Sequence, residues 1–156
     1  MKDNIVTEID TRNEISGELA KILADEYVLS NKTRRAQWQI EIADYHAVNK
    51  TFETQFERLE NFIMRVAKHI GLLGHYVPPA SPSFMAISHL QNTENNNKDC
   101  KELIKELLTD HEILIKTLKK YIEHFSEECH DTETANFIAE LKKDHEQIVG
   151  LLQSHL

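Results

Sequence analysis

Two stretches share an order of residues that could do chemistry. Glu106-Leu107-Leu108-Thr109-Asp110-His111-Glu112 resembles Glu140-Leu141-Lys142-Lys143-Asp144-His145-Glu146. Each histidine follows an aspartate and precedes a glutamate, so imidazole and carboxylate, both common ligands of divalent metals, are offered together. Apolar residues follow each histidine at helical spacing: Leu114, Ile115 and Leu118 after His111, and Ile148, Val149 and Leu152 after His145. Both imidazoles therefore sit on or beside buried stripes. They could form a metal site inside a bundle, or be core-edge histidines hydrogen-bonded to neighbours. A third stretch, residues 35–53, holds acids and amides but only one histidine, His46.

Other chemistries find no footing. There is no G-x-G-x-x-G, P-loop, G-x-S-x-G or H-E-x-x-H pattern, the spacings that cradle phosphates, present a serine nucleophile or bind catalytic zinc. An oxygen carrier with two irons in a bundle needs several converging imidazoles. His46, His69, His75, His89, His124, His130 and His155 do not repeat with ligand spacing. An intrabundle carboxylate di-iron centre needs Glu-x-x-His on two helices and a Glu on each of the other two. No such pair occurs at matching places on two helices. Cys100 and Cys129 stand alone without C-x-x-C spacing, which predicts neither a disulfide framework nor a zinc knuckle.

The elements that must position these residues are helical. The chain has 156 residues, 40% hydrophobic and 28% charged, with few Gly and Pro, a balance that suits one all-α domain. Thr11-Arg12-Asn13-Glu14 fits a capping box and predicts a first helix from there to about Glu41, leaving residues 1–12 as a flexible tail. Phe52, Phe56, Leu59, Ile63, Val66, Ile70 and Leu73 alternate steps of four and three along a second helix, which Gly74 ends. Pro78, Pro79 and Pro82 break the pattern, Phe84–Leu90 predicts a short helix, and Asn92–Asn97 is loop chemistry. A third helix is expected over about Lys98–Cys129 and a fourth over about Thr132–His155. Short connections near Asp44 and His130 favour antiparallel neighbours, whereas the long middle one lets the second and third helices run parallel. The expected architecture is a ferritin-like four-helix bundle with one long crossover carrying a short helix.

The formal charge of −8 argues against a nucleic-acid surface, which needs a clustered basic face. Lys2 and Arg12 are outnumbered near the N-terminus by Asp3, Glu8, Asp10 and Glu14. No run approaches the ~20 apolar residues of a membrane span, and no apolar leader is visible, so a cytoplasmic location is expected.

From about Glu14 to Leu156 the chain resembles the Dps family of ferritin-like mini-cages, the starvation-induced DNA-protection proteins. The resemblance rests on Gln37-Trp38-Gln39-Ile40, His46-Ala47, Phe52-Glu53-x-Gln55, Leu72-Leu73-Gly74-His75 and the closing helix Thr134-Ala135-Asn136-Phe137 to Leu156. It implies a dodecameric homo-oligomer that takes iron as cargo, in stress protection or storage, with no tightly bound cofactor. It also implies ferroxidase sites between two-fold-related subunits, each built from two His and an acid of one and an Asp and a Glu of the other. On this chain those positions carry Gln37, Asn49, Glu53, Met64 and Lys68, so only Glu53 keeps a ligand. Amides, a thioether and an ammonium make no oxygen-rich ferrous site, and weak or absent iron oxidation is expected. The resemblance further assigns Glu127, Glu128 and Asp131, at the turn where family pores form, to drawing cations in; a solvated acidic loop is the other reading. The acidic N-terminus departs from the family's lysine-rich tails and argues against DNA binding. An active peroxide-dependent ferroxidase with displaced ligands, and a structural cage without a metal role, remain as alternatives.

Overall fold

Helix ends show how the sequence sets the elements. The computed structural model describes residues 2–41, 45–90 and 98–156, with the backbone alone at 2–7 and 41. Helix α1 spans Lys2–Glu41, α2 His46–Leu72, α3 Pro82–Met85, α4 Cys100–Glu123 and α5 Thr132–Gln153, with a π-helical turn at His124–Glu128 after α4. Asp99 caps α4 in a full capping box: its side chain accepts from Glu102 N at 2.8 Å, and Glu102 Oε2 accepts from Asp99 N at 2.9 Å. Ser81 caps α3 by accepting from Phe84 N. Gly74 takes φ +83° just after α2, the left-handed conformation expected of it.

Three boundaries differ from the sequence-based expectation. Helix α1 begins at Lys2, so Thr11–Glu14 lies inside it, and residues 2–12 of the expected tail are helical. Capping-box residues do not end a helix whose backbone donors already have partners one turn earlier. The short helix is Pro82–Met85, with turns over the rest of the expected Phe84–Leu90 segment. Proline at the first helical position favours that earlier start. Asp44 and the Asn92–Asn97 loop lie outside the described residues.

Side-chain pairs establish the helix directions. Ser30 bonds Glu60, and the Arg34 guanidinium lies over the Phe56 ring, so α1 and α2 are antiparallel. Lys32 meets Asp110 and Glu18 accepts from Tyr121, so α1 and α4 are antiparallel as well. Helices α2 and α4 therefore run parallel, as a long crossover between them demands. Thr51 with His155, Arg58 with Gln147 and His69 with Thr134 set α5 antiparallel to α2. This is the all-α four-helix bundle of ferritin-like connectivity.

The core runs the length of the bundle through Leu19, Ile22, Leu23, Leu29, Phe52, Leu59, Val66, Leu114, Leu118, Phe125, Ile138, Leu141 and Ile148. The crossover is fastened to α1 by a buried carboxylate. Asp25 accepts from Ser88 Oγ and His89 N at 2.6 Å and meets His89 Nδ1 at 2.8 Å. No helix among the described residues is long and apolar enough to cross a membrane.

Candidate metal-handling sites

The two repeated histidines do meet. His111 on α4 and His145 on α5 are fully buried, and their Nδ1 atoms lie 2.9 Å apart. His145 Nε2 lies 2.6 Å from Glu26 Oε1, a carboxyl on α1 that is also fully buried. The Phe62 ring of α2 packs edge-on to His145, centroids 5.0 Å apart. A polar chain Glu26–His145–His111 thus crosses the bundle centre against an apolar wall. Glu26 escaped the sequence reading because its partner His145 lies 119 residues away, a separation that no spacing within a helix reveals.

Burial governs the protonation of this chain. Desolvation raises the Glu26 pKa against the opposing pull of His145, through its charge and its hydrogen bond. Desolvation, then the positive charges of His145 and Arg58, drive the His111 pKa well below its usual value, so that imidazole is neutral. One proton must lie between the two Nδ1 atoms, donated by one ring to the lone pair of the other. Glu26 Oε2 and His111 Nε2 have no hydrogen-bond partner among the described residues, which leaves room in the chain's chemistry for ordered water.

These groups do not fit a carboxylate di-iron centre. Such a centre needs oxygen ligands from all four helices; here α1 offers one carboxylate, α4 and α5 offer imidazoles already joined to each other, and α2 offers Phe62. The arrangement can hold and share protons, and it locks three helices in register.

The five positions assigned by resemblance do not converge within one chain. Asn49 Nδ2 donates to the Gln37 backbone carbonyl at 3.4 Å, and the Gln37 side chain accepts from Arg34. Glu53 is half-exposed and 3.9 Å from Lys50. Met64 and Lys68 are exposed on the same helix, about 16 and about 22 Å farther along at helical rise. They nevertheless share a face. Asn49, Glu53, Glu57, Glu60, Met64 and Lys68 follow one another in steps of three or four, the spacing that lines up side chains on a helix.

The acidic residues at the α4–α5 turn take separate roles. Asp131 caps α5, accepting from Thr134 N at 2.9 Å and Thr134 Oγ1 at 2.6 Å. Glu128 pairs with His124 Nδ1 at 2.8 Å, and Glu127 is exposed. Beside them lies a grouping the sequence did not signal: Glu14, His124 and Cys129, whose ligand atoms all lie within 4.8 Å of one another. Glu14 is far from the other two in sequence, which is why spacing could not reveal it. Both cysteines are free, as expected.

Comparison with known proteins bears on the fold. The ferritin-like domain model matches residues 17–156. An uncharacterised low temperature-induced protein of Nostoc is 26% identical over 153 residues, covering 98% of this chain and 86% of that protein. The DNA protection during starvation protein of Helicobacter pylori is 22% identical over 138 residues, covering 88% and 95%. The crystal structure of a Dps protein from Vibrio cholerae superposes with a TM-score of 0.85 at 18% identity, covering 94% of this chain and 91% of that one. With the bundle, its crossover and this match over most of its length, the chain belongs to the ferritin family and has the Dps fold.

Proposed function

We propose that the chain is the subunit of a Dps-like mini-ferritin cage acting in iron sequestration or stress protection, with a ferroxidase pocket that has lost its ligands. The observation that carries this reading is the α2 stripe. Glu53 at one end and Met64 and Lys68 at the other are too far apart to meet in one chain, yet an antiparallel two-fold contact near Glu57–Asn61 would set them face to face. Exposed apolar side chains support assembly: Trp38 is 58% exposed, Met64 49% and Leu72 78%, surface that partners commonly cover.

In that contact Lys68 of the partner subunit would stand where iron needs an acid, its ammonium facing Glu53 and replacing the metal's charge. Met64 would fill apolar space beside it. Iron is then cargo rather than a resident cofactor, and DNA, repelled by an acidic chain, is not a direct partner.

The test is restoration. Gln37→His, Asn49→His, Met64→Asp and Lys68→Glu in one chain should raise peroxide-dependent ferrous oxidation at least tenfold over the wild type. No gain in a correctly assembled fourfold variant would mean that the backbone frame, and not only its ligands, has changed.

A further inference from the structure

At the end of the bundle away from the α1–α2 connection, α1 meets the π-helical turn. Glu14 Oε1 lies 2.8 Å from His124 Nε2, and Cys129 Sγ lies 3.6 Å from the same nitrogen. The other ring nitrogen, Nδ1, lies 2.8 Å from Glu128 Oε2. Cys129 N bonds back to the His124 carbonyl at 3.1 Å, so the widened turn sets thiol and imidazole on one side of the helix end. Such π-helical insertions often mark functional sites.

We propose that Glu14, His124 and Cys129 form a three-ligand site for a divalent cation of borderline softness, of the zinc or cobalt type. The ligand set is one thiolate, one imidazole and one carboxylate, each common at zinc. With metal–sulfur and metal–nitrogen bonds of about 2.3 and about 2.0 Å, a tetrahedral edge between sulfur and nitrogen is about 3.5 Å. The 3.6 Å from Cys129 to His124 is that edge. Exposed Glu14 has the freedom to open its shorter spacing as a cation enters. Glu128 completes the arrangement: a carboxylate on the far nitrogen orients the ring and raises its basicity, as it does behind many metal-bound histidines. The fourth position is left for water or an incoming ligand.

The surroundings favour a cation. Burial, then the charges of Glu14, Glu128, Asp131 and Glu18, raise the Cys129 pKa. A divalent ion would offset those negative charges. Partial burial works against a charged His124, but its hydrogen bond to Glu14 and the charges of Glu128 and Glu14 outweigh it and raise its pKa. An imidazolium held between two carboxylates is the competing occupant, and it has no use for the sulfur. The site is independent of the iron reading above, since it uses none of the α2 positions.

The experiment uses the full-length reduced protein, stripped with chelator and titrated anaerobically with Co²⁺. The expected result is a near-ultraviolet thiolate-to-cobalt charge-transfer band that saturates at a single cation per chain and is displaced by Zn²⁺. The band should survive in Cys100→Ser and vanish in Cys129→Ser. Glu128→Gln should weaken binding by about 10–100-fold, the usual loss when the group behind a ligating histidine is changed. A second measurement needs no variant: Zn²⁺ should slow alkylation of Cys129, mapped by mass spectrometry. Absence of the band, its persistence in Cys129→Ser, or alkylation of Cys129 unaffected by Zn²⁺ would overturn the proposal.

Discussion

Several histidines in this chain are committed to the fold through identifiable partners. His69 stacks on Phe137 and bonds Thr134, His155 meets Thr51, and His89 meets Asp25. Burial lowers the pKa of His69 and drives that of His111 well below its usual value, which gives His111 a consequence in pH. Its folded pKa lies well below that of the unfolded chain, so as pH falls through about 6.5 the unfolded state takes up a proton that the folded state refuses. Protons bound preferentially to the unfolded state lower stability. In His111→Asn, which cannot titrate, that loss is absent. The stability advantage of wild type over the variant should therefore shrink by about 1.4 kcal/mol per pH unit below pH 6.5. Denaturant titrations at pH 7.5, 6.5 and 5.5, at fixed protein concentration, check this. Parallel pH profiles would show that His111 is charged in the fold.

Elements are joined here by a few buried polar contacts, and the crossover depends on one. Asp25, with no exposed side-chain surface, holds the Ser88 hydroxyl and the His89 backbone and ring. Asp25→Ala would strand those donors, and a destabilisation of about 2–4 kcal/mol is expected. The loss should be accompanied by faster proteolysis after residue 85, because α3 and the turns behind it would be held only by packing such as Tyr27 against Phe84. Denaturation and mass-mapped limited proteolysis measure the two effects. The α4 start lies at Cys100, near the expected Lys98, whereas the α1 start lies far from its expected place. Asp99 and Glu102 form a working capping box next to a chain break in pattern, whereas Thr11 and Glu14 form the same motif inside a helix that continues past them.

The whole molecule presents the α2 stripe outward. If that stripe is the two-fold contact, arginines placed at its centre will repel their own copies across the axis. Glu57→Arg with Asn61→Arg should lower the assembled mass seen by size-exclusion light scattering while leaving helix content unchanged, since both positions are exposed. Wild-type mass with both arginines in place would move the contact elsewhere on the surface. Ionic strength should matter as well: salt screens such repulsion over about 10 Å at 0.1 M, so raising it should restore part of the lost mass.

Periodicity and punctuation made the architecture legible from residues alone. Apolar steps of three and four from Phe52 to Leu73, Gly74 at their end and the prolines after it determine helices, their order and the long crossover, because these are local properties of the backbone. The ligand mismatch proposed at Gln37, Asn49, Met64 and Lys68 rests instead on the resemblance, together with side-chain type, which decides which atoms can face iron. Tertiary structure alone decided which distant side chains meet: Glu26 with His145, Asp25 with the crossover, and Glu14 with His124 and Cys129. Those contacts join residues on different helices, and the rotation of one helix against another, which no repeat within either helix records, sets their distances.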